Sequence, residues 1–168
     1  PLDARFPQLV RVSDPAYVGE MVAGAYAASD GAQDQALASR YAVTPIRYQP
    51  GNRHVLRYDP VDGSERGTLF AKLYKGQDGE GAFRVATQVA EWLAQRGEGV
   101  TSVRPLAYVA GDAVVLYRRI LGEPLSQQLQ RPGAGVGGSL AAVGAALYAL
   151  HQLPAKLAGP LKLHDFAA

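Results

Sequence analysis

The sequence contains no cysteine, which excludes a disulfide framework and any thiolate metal site and suits a reducing compartment such as the cytoplasm. It also lacks an apolar run approaching the roughly 20 residues that a membrane-spanning helix requires. No charged segment followed by an apolar one opens the chain, so no leader of that kind is read there. An excess of one charge is missing too. The 17 basic residues stand against 15 acidic ones, for a net charge of +2, and the basic residues never run five together. Neither nucleic acid nor a membrane is therefore an expected partner. The three histidines, at 54, 151 and 164, show no metal-ligand spacing, and no Gly-x-Ser-x-Gly nucleophile motif occurs.

What is present is a chain of 168 residues, 48% hydrophobic and 19% charged, with enough apolar side chains for a buried core. It opens on Pro1 and closes on "LKLHDFAA", which reads as the start of a helix. The expectation is a piece of a longer protein.

"SDPAYVGEMVAGAYAA" starts a helix: Ser13 or Asp14 is placed to cap it, Pro15 fits its first turn, and Tyr17, Val18, Met21, Val22 and Tyr26 recur at helical spacing. From Tyr41 the period changes. "YAVTPIRYQ" and "RHVLRYD" are strand-like runs around a "PGN" turn, and "DPVDGSERG" leads to a third strand, "TLFAKLY". Pro45 belongs at an edge or a bend. "GEGAFRVATQVAEWLAQRGEG" is a second helix, with Ala82, Val85, Ala86, Val89 and Leu93 on one stripe, Arg84, Gln88, Glu91 and Gln95 opposite, and Gly97 as its stop. "VRPLAYVAGDAVVLYRRI" gives two more strands around "AGD". "GEPLSQQLQ" begins a short helix, "RPGAGVGG" reads as a linker and internal boundary, and "SLAAVGAALYALHQL" as a long helix closed by Pro154. Leu140, Val143, Leu147 and Leu150 mark one face of that helix. The layout is α+β, with a five-stranded antiparallel sheet and one helix inserted between its third and fourth strands.

This order resembles the small, nucleotide-binding lobe of the protein-kinase-like fold, and in detail the aminoglycoside and small-molecule phosphotransferase family. "YQPGNRHVLRY" is similar to that family's first two strands and their loop, and "TLFAKLY" to the strand carrying its phosphate-binding lysine. "VRPLAYVAGDAVVLYRRILGEPL" is similar to its fourth and fifth strands and hinge, and "LYALHQLP" to the end of its first large-lobe helix. The matches run from about Tyr41 to Pro154. Each is short, and their order and spacing make the case. The resemblance implies an N-terminal helical extension over 1–40, a kinase-like nucleotide-binding lobe over 41–122, and a linker with the first elements of a larger lobe over 123–168.

The implied chemistry is ATP-dependent phosphoryl transfer to a small-molecule hydroxyl, which depends on positioning and charge neutralisation. Lys72 would meet the α- and β-phosphates. In strand geometry it shares a face with Phe70 and Tyr74, while Leu69, Ala71 and Leu73 take the other face, expected to pack on the inserted helix. Taken alone, "FAKLYKG" fits an exposed edge-strand lysine better, and it is the order of the surrounding segments that turns the reading toward the cleft. Lys75 is expected in solvent.

A carboxylate on that helix should hold Lys72. Glu91 is the residue named for this, with Glu80 as the alternative; were the family's glutamate to align with Gln88 instead, Lys72 would be left without that partner. Gly51, Asn52 and Arg53 could approach phosphate, although an ordinary hairpin turn reads the same. The main chain of Arg118, Arg119 and Ile120 would face adenine, with Arg118 and Arg119 also readable as surface charges. His151 is read as a packing or helix-terminal residue. The family's catalytic Asp, downstream Asn and magnesium-binding Asp have no counterpart here. "LHDF" stands too close to Pro154 to be that loop, so the Mg²⁺ ligands and the catalytic base are expected outside this chain, which would be inactive alone. The alternative is a non-catalytic kinase-like binding or regulatory module. A lobe cut from the larger one is expected to present an apolar patch where that lobe would dock, and the last long helix to cover that patch or to recruit a second copy of the chain. The phosphoryl acceptor is not legible.

Overall fold

The computed structural model describes residues 3–29, 40–63, 67–130 and 135–158. Helix α1 (Pro15–Ala27) starts where its capping chemistry dictates: the Asp14 side chain accepts from the Ala16 amide at 3.0 Å, with Pro15 in the first turn. Its Val18, Met21, Val22, Ala25 and Tyr26 are buried. The strands β1 (Tyr41–Gln49), β2 (Arg53–Pro60), β3 (Leu69–Leu73), β4 (Pro105–Val109) and β5 (Val114–Arg118) form one sheet in the order β1-β2-β3-β5-β4. Every neighbouring pair is antiparallel. Pro45 lies on the edge strand β1, at a register shift between Pro45 and Arg47, where its missing N–H breaks no inner ladder. The chain is mixed α/β with a five-stranded antiparallel sheet, in agreement with the sequence reading.

Helix α2 (Asp78–Arg96) follows β3, carries Asp78 and Glu80 in its first turn, and ends before Gly97, whose φ of 66° suits a left-handed stop. Beyond β5 come α3 (Leu125–Leu129), α4 (Gly135–His151) and α5 (Ala155–Ala158). Two compact units divide the chain: Pro1–Ala86 with Val103–Ile120, and Thr87–Ser102 with Leu121–Ala168. Among the described residues no helix is long and apolar enough to cross a membrane.

In the first unit the core lies on one face of the sheet. Leu56, Tyr58, Leu69, Ala71, Leu73, Val114 and Leu116 meet Phe6, Leu9 and Val12 of the N-terminal turns and the apolar stripe of α1. This corrects the expectation that the aliphatic face of β3 packs on the inserted helix. A period of two sorts residues into faces without saying what covers each face, and it is the buried side chains of α1 that meet this one. The first turns of α2 instead approach the opposite face: Phe83 stacks on Tyr108 with ring centroids 6.4 Å apart. Gly79 is required there, because a β-carbon on it would stand 2.7 Å from Tyr108 Cε2.

A buried carboxylate ties the β4–β5 connection to the N-terminal segment. Asp112 Oδ1 accepts from Arg11 Nε at 2.8 Å and from Arg11 Nη2, and its Oδ2 accepts from the Tyr17 hydroxyl at 2.5 Å. The carboxylate is fully buried while Arg11 is 53% exposed. These bonds raise the pKa of both Arg11 and Tyr17, the hydrogen bond to Asp112 being the main cause. Asp112→Ala strands the Tyr17 hydroxyl and the inner side of the guanidinium, and should lower stability by about 2 kcal/mol. Chemical denaturation of the two proteins measures the difference, and equal midpoints would remove the tie from the account.

In the second unit, Ser139 Oγ donates to Gln128 Oε1 at 2.6 Å, joining α3 to α4. The glycine-rich stretch read as a linker is partly helical, since α4 already includes Gly135, Gly137 and Gly138. The cost of glycine in a helix, about 1 kcal/mol each, is offset where an Ala- and Leu-rich helix propagates backwards. Residues 131–134 lie outside the described residues. The expected apolar face of α4 is largely uncovered: Leu140, Leu147 and Leu150 are exposed, as is Tyr148, and the buried position is Ala149. His151 is exposed in the last turn, where a basic side chain suits the helix dipole. The "LHDF" segment lies outside the described residues.

Candidate functional site

Alternation along β3 decides where its lysine goes. Leu69, Ala71 and Leu73 are buried in the core, so Phe70 and Lys72 stand on the other face and are half-buried. Lys72 pairs across the sheet with Val55 on β2 and Val115 on β5. It is thus an inner-strand lysine, and the edge-strand reading of "FAKLYKG" does not apply. Val115 is fully buried and gives the lysine stem an apolar floor. The ammonium lies 4.9 Å from the ring centroid of Tyr74, a cation–π contact. Within the first unit, then, its close neighbour is an aromatic face rather than a carboxylate.

Two phenols border this cation. Burial raises the pKa of Tyr74, while the Tyr117 hydroxyl and the Arg53 charge act against that. Burial also pushes Tyr117 up to about 12, reinforced by Tyr74 and opposed by Lys72. Both tyrosines are therefore neutral hydrogen-bonding groups at physiological pH. Arg53 opens β2 one alternation before Val55, which places it on the lysine's face of the sheet, and it is exposed. Lys72 and Arg53 together make this face cationic, with Tyr74 felt by both. Lys75 is exposed, its ammonium 5.7 Å from the Phe6 ring.

The β1–β2 turn is a tight one. Asn52 donates to the Gln49 carbonyl at 3.0 Å, and Gly51 adopts a φ of 67° that favours glycine. The Gly51 amide, a candidate phosphate donor, already donates to Asp3 Oδ2 at 2.6 Å. Asn52 is exposed beside it.

The segment after β5 divides its residues between tasks. Arg118 places its guanidinium 5.3 Å from the Tyr26 ring, against α1. The Arg119 amide donates to the Thr68 carbonyl at 3.1 Å, extending the β3–β5 pairing, and Ile120 is exposed. Glu91 is an exposed residue of α2 that falls in the second unit, and Glu80 is exposed on the helix's first turn.

Sequence reasoning did not single out Asp3, His54 or Tyr117, and it placed Tyr74 on the lysine's face without giving it a role. For His54 a signal existed: it leads the buried alternation His54, Leu56, Tyr58, Pro60 along β2. For Asp3 there was none, since its partners lie 48 and 51 positions away. Among the described residues no group of three or more His, Asp or Glu side chains is placed to hold a metal.

Against known proteins, the profile of the phosphotransferase enzyme family matches residues 50–168. No curated protein and no solved structure was found to match the chain. The matched range takes in β2 to β5 and everything after them, including the lysine-bearing strand. The chain belongs to the phosphotransferase enzyme family.

Proposed function

We propose that this chain supplies the nucleotide-binding part of an ATP-dependent phosphotransferase acting on a small-molecule hydroxyl. The sheet and its inserted helix, 41–122, form the nucleotide-binding lobe in this reading, and 123–168 begin the larger lobe. The observation that carries it is the position of Lys72: a half-buried cation on an inner strand, on the face the core does not use. A half-buried cation beside a second one on the same face is suited to bind an anion, and a triphosphate is such an anion. Arg53 adds a second cation, and the hydroxyls of Tyr74 and Tyr117 are neutral donors at working pH.

The role of Lys72 is to bind and orient the α- and β-phosphates. Glu91 is the residue assigned to orient that ammonium, and the main chain around Arg118 to Ile120 to meet the adenine edge. Gly51, Asn52 and Arg53 form the turn over the phosphates, with Asn52 and Arg53 as its side-chain donors. Magnesium would neutralise charge on the triphosphate when bound. No described residue is assigned to hold it, and the proton-accepting base is likewise assigned to none. On this reading the chain alone binds nucleotide and does not turn over, and its lack of cysteine suits a cytoplasmic home.

The cationic face makes a graded prediction. ATP should bind at least about 10-fold more tightly than adenosine, the difference falling as salt is raised. Calorimetric titration with ATP, ADP and adenosine at two ionic strengths measures this. Equal affinity for ATP and adenosine would sink the assignment of Lys72 and Arg53 to phosphate.

A further inference from the structure

The residues ahead of α1 grip the β1–β2 turn at three points. Asp3 Oδ2 accepts from the Gly51 amide at 2.6 Å and meets His54 Nε2 at 2.8 Å. The Arg5 side chain lies along Gly51, its Cδ 3.2 Å from where a β-carbon would stand. Asp3 and His54 are only 6% and 1% exposed in their side chains. Desolvated together, they are costly to separate, because each would leave the other buried without its partner. His54 Nδ1 already has no hydrogen-bond partner, so the Asp3 contact is the ring's hold on the protein's polar groups. Its ring is otherwise enclosed by Phe6 and Tyr48, with centroids at 4.6 and 4.8 Å. The Gly51 amide and the His54 contact hold the Asp3 carboxyl down at about 2, so it is ionised at any working pH.

The direction of this grip matters. His54 pairs with Leu73 and lies on the core face of the sheet, whereas Arg53 and Lys72 lie on the other. Asp3 therefore holds the turn from behind. It occupies the Gly51 amide and leaves Asn52 and Arg53 exposed. A turn built on a single glycine has conformational freedom that must be lost when a ligand settles under it, and anchoring it beforehand reduces that loss.

We propose that Asp3 is a positioning residue for the nucleotide site: by clamping Gly51 and His54 from the core face, it fixes the β1–β2 turn in the form that presents Arg53 and Asn52 to phosphate. The proposal rests on the reading of Lys72 and Arg53 as triphosphate-binding cations.

The test measures affinity for a non-hydrolysable ATP analogue with magnesium in the wild-type chain and four variants. Asp3→Ala should weaken binding about 10-fold and Asp3→Asn, which keeps an acceptor oxygen, about 3-fold, from the ordering that must then occur on binding. Val12→Ala, a buried change in the same N-terminal segment that does not touch the turn, should lower the melting temperature and leave affinity alone. In both Asp3 variants the Gly51 amide resonance should move upfield as its carboxylate acceptor is lost or neutralised. Lys72→Ala separates the two levels of inference. If it weakens binding while the Asp3 variants bind normally or more tightly, the clamp is overturned and the nucleotide site stands. Tighter binding would mean that the carboxylate competes with phosphate for Gly51. If Val12→Ala weakens binding as much as Asp3→Ala, Asp3 is merely structural and the proposal also falls. If neither Lys72→Ala nor Asp3→Ala changes affinity, the site assignment itself has failed.

Discussion

Lys72→Ala should reduce ATP affinity by about 10- to 100-fold, the equivalent of one or two charge-assisted hydrogen bonds to phosphate. The melting temperature should hardly change, because Lys72 lies on the face of β3 away from the core and makes its close contact with an aromatic ring. That combination separates a ligand-binding lysine from a structural one. A lysine needed only for packing would show the reverse, a lower melting temperature with affinity intact. Lys72→Arg is not expected to rescue binding fully. The planar guanidinium is bulkier than the ammonium and would have to share the space between Val55, Val115 and Tyr74. Titration calorimetry and thermal melts on the same samples provide both numbers. Unchanged affinity in Lys72→Ala would end the phosphate role.

The largest loss of stability is expected at Tyr58. It is fully buried at the centre of β2, within the core shared with α1 and the N-terminal turns, and its hydroxyl donates to the Val12 carbonyl at 2.8 Å. Burial raises the pKa of this phenol, so it stays a donor throughout the working range. Tyr58→Ala removes the ring and the bond together and should cost about 4 kcal/mol. Tyr58→Phe keeps the ring, leaves the buried carbonyl without its donor, and should cost about 1 kcal/mol. Urea unfolding of the three proteins reads both losses. A Tyr58→Phe loss equal to that of Tyr58→Ala would shift the weight from packing to the hydrogen bond. A negligible loss in Tyr58→Ala would show that the N-terminal segment does not share this core.

Local chemistry was legible in the sequence, and partnership between distant elements was not. The Asp14–Pro15 start of α1, the Gly97 stop of α2 and the Pro45 irregularity in β1 each follow from one residue's backbone preference, and each stands where that preference puts it. The face carrying Lys72 followed from a period of two. The covering of the opposite face did not, because α1 and α2 both carry apolar stripes and only three-dimensional packing chooses between them. Helix α4 erred in the other direction: glycine's low helix propensity argued for a linker where the helix extends back through Gly135. The Gly51 turn was legible as a turn, but not the carboxylate that fills its donor, since nothing in "PLDARF" announces a partner so far along the chain. The partner of Lys72 stays a choice among residues of one helix. Spacing alone cannot rank Glu91 against Glu80, and Glu91 belongs to the other unit.

The separation of the sheet's two faces has a bearing on how such a gene changes over generations. Inheritance of the fold is written into residues that pack behind the sheet, and on the proposed reading inheritance of the chemistry is written into Lys72, Arg53 and the tyrosines in front of it. Drift in the second set leaves the first untouched. A lineage that lost its reaction would go on making a folded protein, available for selection to put to another use.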